Sequence, residues 1–206
     1  MSLDGRLVGT DFDEYEEFYQ PIVECMRKEL AERGVDAGAL NVGSAGQTYA
    51  DQIGRTASLH LLRSYAACVA VHGSAPDESE PSVIGHELNQ MYEGRLSPQP
   101  FFHLIIHSEE KGFYIPVDFK MPFSFEAPGL NGTWTCDLGS SQALLRELDE
   151  LNKFLQMPGD LGELCGSARV EQEIEGDPFH AEKWVWAVLH WLARESVAKS
   201  LLFEFC

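Results

Sequence analysis

A histidine and an aspartate near the middle of the chain are the residues best placed to do chemistry together. Residues 101–119 read FFHLIIHSEEKGFYIPVDF, in which two apolar runs flank a short polar loop that contains a glycine. This pattern predicts a β-hairpin formed by residues 101–108 and 113–119. The register that makes one face wholly apolar places His103 directly across from Asp118. A carboxylate beside an imidazole can orient it as a general base, so this pair is the candidate catalytic site.

We favour a structural role for the pair over a catalytic one. A cross-strand ion pair on a half-exposed sheet face contributes under about 1 kcal/mol and requires no reaction. No serine or cysteine is identifiable as a nucleophile. His107 and Tyr114 share that face and are predicted to pack together as candidate binding residues. His107 and His103 cannot hold one metal ion, because four strand residues separate their Cα atoms by roughly 13 Å. Whether the chain is an enzyme stays open, with the balance against.

The metal-site motifs in the sequence are incomplete. Residues 86–90 read HELNQ, which places Gln90 where an HExxH zinc site requires its second histidine. Residues 180–182 read HAE, but the two cysteines that a deaminase-type zinc site needs downstream do not follow. The five cysteines are scattered and form no CxxC pair, which predicts reduced thiols. We therefore expect neither a metal nor a cofactor.

Charge is the unusual bulk property of this sequence. It has 15 basic residues against 33 acidic ones, a formal net charge of −18. Such a field repels phosphates and anionic lipid, so we expect no binding to nucleic acid or to membranes, and it attracts a basic protein. Solubility, or adaptation to a salty cytoplasm, is the alternative explanation. The candidate binding surface is an acidic and aromatic segment near the N-terminus: Asp13, Glu14, Tyr15, Glu16, Glu17 and Tyr19.

Helical spacing of apolar residues predicts the elements that must position these groups. Helices are expected over about 11–33, 56–72, 82–94, 141–155 and 177–199. Pro21 conflicts with the first of them and predicts a kink or a new helix start at that point. Residues 133–137 and 201–205 are candidate short strands.

Together these patterns predict one α+β domain over residues 1–206. A small, mainly antiparallel sheet is centred on the hairpin and is packed by about five helices. Phe102, Leu104, Ile106, Ile115, Val117 and Phe119 are expected to form the core face of the hairpin.

We interpret the chain as an acidic, non-catalytic binding protein of the inhibitor or immunity type that holds a basic protein partner. One alternative is a small hydrolase or transferase that uses His103 and Asp118. Another is a structural homo-oligomer that associates through the leucine stripe of residues 144–155. No apolar run reaches the roughly 20 residues that cross a bilayer, and the N-terminus lacks a signal sequence, so we expect a cytoplasmic protein.

Overall fold

The strands of this protein form one mixed sheet. The computed structural model describes residues 2–44, 49–77, 84–109, 112–129, 132–157, 170 and 174–205. Among these residues the strand order is β2-β1-β6-β3-β5-β4. The neighbouring strands pair antiparallel, apart from β3 and β5, which are parallel. The strands are β1 (Ser2–Val8), β2 (Tyr49–Arg55), β3 (Gly112–Ile115), β4 (Phe123–Gly129), β5 (Gly132–Ser140) and β6 (Leu202–Phe205).

Helices cover both faces of this sheet. They are a π-helical turn (Tyr15–Tyr19), α1 (Gln20–Glu32), a 3₁₀ turn (Ala37–Ala39), α2 (Thr56–His72), α3 (His86–Tyr92), α4 (Phe102–Ile105), α5 (Ser141–Leu155) and α6 (His180–Lys199). The prediction of an α+β fold with a mainly antiparallel sheet is confirmed. That the whole chain is a single domain stays a prediction.

Alternating side chains along the strands divide the apolar residues into two cores. Leu7, Tyr114 and Phe203 face the core built by helices α2 to α6. Their neighbours in sequence face the opposite core, where they meet the π-helical turn and α1; these neighbours are Val8, Phe113 and Leu202. The sheet is therefore the middle layer, and the predicted acidic and aromatic segment belongs to the layer on the α1 side.

The predicted helices agree with the structure over most of their length. The first is divided, because the π-helical turn ends at Tyr19 and α1 begins at Gln20 with Pro21 in its first turn. A proline is tolerated there, since the first N–H groups of a helix have no partner within the helix. The predicted helix over residues 82–94 begins outside the described residues, and α3 starts at His86. The predicted short strand over residues 133–137 lies within β5, and the one over residues 201–205 coincides with β6 except at Leu201.

The predicted hairpin is wrong in its first half. Residues 102–105 form helix α4, and β3 pairs with β5 and β6 instead of with residues 101–108. Of the expected core face, Leu104, Ile115, Val117 and Phe119 are buried, whereas Ile106 is 42% exposed. Phe102 is half-buried.

Two buried ionisable side chains from distant parts of the chain hold α4 at its ends. The Glu147 carboxyl group accepts the backbone N–H groups of His103 (2.9 Å) and Leu104 (2.8 Å). The Arg63 guanidinium donates to the backbone carbonyls of Leu104 (2.9 Å) and His107. Helix ends leave such groups without partners, and the positive charge of Arg63 at the end also suits the helix dipole. These contacts explain why a segment with strand-like alternation is a helix.

Candidate functional site

The structure separates the two members of the candidate catalytic pair. His103 is fully buried on α4, where its Nδ1 accepts the backbone N–H of Ser140 (3.0 Å). The proton therefore lies on Nε2, which is 3.1 Å from the carbonyl oxygen of Phe119. Asp118 is exposed and accepts two hydrogen bonds from Arg146, at 2.6 and 3.2 Å. The predicted contact between the two side chains is wrong, because His103 lies on a helix and not on a strand opposite Asp118.

Burial keeps the His103 imidazole neutral. Desolvation, with a smaller contribution from His107, lowers the pKa of His103 to about 4. Backbone groups satisfy both of its ring nitrogens. The side chain thus ties α4 to the end of β5 and to Phe119.

His107 and Tyr114 pack together, as predicted, but inside the protein. Their rings stack with centroids 4.0 Å apart, and each residue is 1% exposed. Gly112 permits this contact, since a Cβ atom there would lie 2.0 Å from Cε1 of His107. The Tyr114 hydroxyl donates to the carbonyl of His103 (2.6 Å). Neither residue can reach a macromolecular partner, so their predicted placement on a binding surface is wrong.

The sequence reasoning missed three buried ionisable residues: Arg63, Glu147 and Glu204. A signal for each was present in the sequence. Arg63 lies four residues after Leu59, within the apolar stripe of α2, and Glu147 lies three residues after Leu144, within the leucine stripe of α5. Glu204 occupies one position of the apolar strand LLFEF. A lone charge among apolar residues indicates a buried partner.

Two aromatic residues fix the acidic segment to the sheet. Tyr15 and Tyr19 are 7% and 1% exposed, and their rings stack with centroids 6.4 Å apart. Tyr19 also packs edge-on against Phe113 of β3, at 6.4 Å. The two tyrosines were predicted as binding residues, but they are anchors, because their four-residue spacing turns both toward the core.

The four carboxylates around these tyrosines are exposed. They are Asp13, Glu14, Glu16 and Glu17, which we call the acidic turn. The chain has no Lys or Arg between Asp11 and Met26. Within the described ranges, no ion pair joins the acidic turn to a basic side chain, whereas exposed basic residues elsewhere pair with nearby acids, as Arg146 does with Asp118. The acidic turn therefore keeps its charge available to a partner.

A buried network lies beneath the acidic turn. The Tyr19 hydroxyl donates to Glu204 Oε1 (2.6 Å), and Arg6 donates to the same oxygen through Nε (2.7 Å). Arg6 Nη2 also donates to the Tyr19 hydroxyl oxygen (2.8 Å). Burial, followed by the charge of Glu204, raises the pKa of Tyr19, so its hydroxyl remains a donor.

No group of three or more His, Cys, Asp or Glu side chains that could hold a metal ion occurs in the part of the chain that the structure describes. In that same part, no helix is both long enough and apolar enough to cross a membrane.

Comparison with known proteins gives one family match. A family model described as "Putative DNA-mimic protein" matches residues 5–205, nearly the full chain. No curated protein and no solved structure matches. The family match corrects the interpretation of the chain as an inhibitor or immunity-type protein, since the family is described by mimicry of DNA. The match likewise gives no support to the hydrolase, transferase or homo-oligomer alternatives.

Proposed function

Because this chain belongs to the DNA-mimic protein family, we propose that it binds the DNA-contacting surface of a DNA-binding protein and thereby competes with DNA. The observation that carries this proposal is the acidic turn, in which Asp13, Glu14, Glu16 and Glu17 are all exposed and lack basic partners within the described residues. Family membership supports a protein partner over a nucleic acid.

The charge density of the acidic turn supports mimicry of a phosphate backbone. Four carboxylates occupy the five residues 13–17. Asp13 and Glu14 lie in the turn that leads into the π-helical turn, and Glu16 and Glu17 lie within it. Duplex DNA carries closely spaced negative charges, about one per 1.7 Å of its axis. The acidic turn likewise presents several negative charges along a short stretch of backbone.

The net charge of the chain supports fast association with such a partner. DNA-binding surfaces are basic, and a formal charge of −18 steers them toward this protein. Carboxylates can replace phosphates, but they carry none of the base-edge groups that report sequence. The partner we propose therefore takes most of its DNA affinity from phosphate contacts. We place the encounter in the cytoplasm, the compartment that the sequence predicts.

A charge-neutral variant of the acidic turn tests this function. The partner is first captured on the immobilised protein from a host lysate, eluted with duplex DNA, identified and purified. We expect the wild-type protein to displace a labelled duplex from this partner. The variant D13N/E14Q/E16Q/E17Q should require at least about tenfold more protein for the same displacement, because it loses four phosphate-like charges. Fluorescence anisotropy of the labelled duplex gives the measurement.

The matched control removes four exposed carboxylates elsewhere. The variant E93Q/E126Q/D149N/E175Q reaches the same formal charge, −18 + 4 = −14. It should displace DNA nearly as well as the wild-type protein. Equal losses in the two variants would show that the acidic turn is not the mimic surface. A wild-type protein that displaces no duplex would reject DNA mimicry.

A further inference from the structure

We propose that Glu204 is an internal counter-charge for Arg6, which prevents this arginine from neutralising the acidic turn. This inference rests on the proposed function, since it explains how the acidic turn keeps its negative potential although the positively charged Arg6 lies beside it. Glu204 would then be a positioning residue, which acts on a partner only through Arg6.

The register of the sheet brings the two charges together. Arg6 of β1 lies directly opposite Glu204 of β6. The side chain of Glu204 is 9% exposed and that of Arg6 is 29% exposed. One carboxylate oxygen, Oε1, accepts hydrogen bonds from both the guanidinium and the Tyr19 hydroxyl. The arginine is thus drawn down toward the sheet.

Arg6 nevertheless lies at the edge of the acidic turn. Its Cζ atom is 5.1 Å from the centroid of the Phe12 ring. Phe12 directly precedes Asp13, and its ring packs edge-on against Tyr19 with centroids 5.6 Å apart. A guanidinium over an aromatic face is stabilised only modestly, so the ion pair with Glu204 is the stronger of these two contacts.

Without the charge of Glu204, the arginine would turn outward. Arginine has a long, flexible stem, and the acidic turn offers exposed carboxylates without basic partners among the described residues. Pairing with one of them would cancel a charge that the surface presents. Loss of Glu204 would therefore weaken the surface field by more than the removal of one exposed carboxylate does.

A measurement without any partner tests the counter-charge itself. Paramagnetic relaxation of backbone amides by a cationic nitroxide, compared with an anionic nitroxide of similar shape, reports the local potential. For each amide of residues 13–17, we take the ratio of the relaxation enhancement by the cationic nitroxide to that by the anionic one. We expect this ratio to fall at least about twofold in E204Q. The fall should be smaller in E24Q, which removes an exposed carboxylate of α1 on the same layer. The double variant R6Q/E204Q should restore the wild-type ratio.

Two outcomes of this measurement would overturn the inference. If E204Q changes the ratio no more than E24Q does, or if R6Q/E204Q stays as low as E204Q, Glu204 is not a counter-charge for Arg6. Should E204Q fail to fold, Glu204→Asp provides a second variant. It keeps the net charge but shortens the reach to Arg6, and the same twofold fall is expected; an unchanged ratio overturns the inference.

Competition with DNA then separates this inference from the proposed function. With the captured partner, E204Q should associate about threefold more slowly than the wild-type protein at low salt, and R6Q/E204Q should recover the rate. A wild-type protein that competes with DNA, together with an unaffected E204Q, would overturn the inference alone. A wild-type protein that does not compete would overturn the function, while the nitroxide ratios still decide whether Glu204 holds Arg6.

Discussion

At the scale of single residues, buried ionisable side chains determine the local structure of this protein. Glu147 is 8% exposed, yet both of its carboxylate oxygens accept hydrogen bonds from the first turn of α4. Burial raises the pKa of Glu147 to about 8, although the two N–H groups act in the opposite direction. The folded state thus holds a proton on this carboxyl that the unfolded chain releases at a much lower pH.

This difference predicts how stability depends on pH. Between the unfolded pKa of 4.5 and the folded pKa of about 8, the folded protein binds the extra proton. The contribution of Glu147 is therefore fully present below pH 4.5 and is lost as the pH rises through 8, by at most about 1.4 kcal/mol per unit. Glu147→Gln removes the titrating group. Urea unfolding from pH 5 to 8 should show a flatter alkaline decline in the variant than in the wild-type protein.

Glu147→Gln should also lower the free energy of unfolding by an amount that does not depend on pH. A glutamine can accept one of the two N–H groups, but its own NH₂ group faces the other, so about 1–3 kcal/mol should be lost at pH 5. Glu150→Gln, on the same helix, is the control and should leave both the stability and its pH dependence nearly unchanged. An alkaline decline in E147Q as steep as in the wild-type protein would show that Glu147 does not titrate in this range.

At the scale of elements, the sequence determines the helices better than the sheet. The apolar stripes of α2 and α5 are regular, and their boundaries agree with the structure within a residue. In residues 101–106 the apolar residues fit both the two-residue period of a strand and the spacing of a helix. Alternation indicates a strand, but Phe101, Leu104 and Ile105, which are the fully buried apolar residues, have helical spacing. Contacts with Arg63 and Glu147, about 40 residues away along the chain, decide between the two, and local periodicity cannot show such contacts.

In the candidate site, too, some features could be predicted from the sequence and others could not. The exposure of Asp13, Glu14, Glu16 and Glu17 follows from their polarity, and it could be predicted from sequence. The burial of Tyr19 depends on Glu204 and Phe113, which contact it from the sheet, and Tyr15 stacks on Tyr19. A residue type that is common in interfaces and in cores does not by itself show which of the two it occupies.

The dependence of α4 on Arg63 gives a test at this scale. Arg63→Met keeps the apolar stem but removes the donors to two backbone carbonyls and leaves Glu109 without its main partner. We expect a loss of about 3–5 kcal/mol, because two backbone carbonyls lose their donor and the half-buried Glu109 keeps only His60 beside it. Urea unfolding measures the loss, and hydrogen exchange should show faster exchange in α4.

Two further variants make this test specific. The double variant R63M/E109Q should recover part of the stability, since the uncompensated charge is gone. Arg95→Met breaks an exposed pair with Glu93 and should cost under about 1 kcal/mol. Similar losses in R63M and R95M would show that Arg63 does not hold α4.

At the scale of the whole molecule, the negative charge that would attract a basic partner opposes folding. A formal charge of −18 on a chain of 206 residues repels itself in the compact state. Added salt shortens the Debye length from about 30 Å at 0.01 M to about 10 Å at 0.1 M, so the repulsion is screened. The same screening weakens attraction to a basic partner.

Salt should therefore shift stability and binding in opposite directions. Between 0.01 and 0.3 M NaCl we expect the Tm of the protein to rise by several degrees, measured by circular dichroism, while its ability to displace DNA from its partner falls.

The two four-carboxylate variants, D13N/E14Q/E16Q/E17Q and E93Q/E126Q/D149N/E175Q, separate these effects. Both have a formal charge of −14, and self-repulsion depends mainly on total charge. With added salt, the Tm of each variant should therefore rise less than that of the wild-type protein, and the two rises should be similar. In displacement of DNA they should differ about tenfold, because binding depends on where the charges lie. A Tm that does not rise with salt would show that repulsion among these carboxylates does not limit folding.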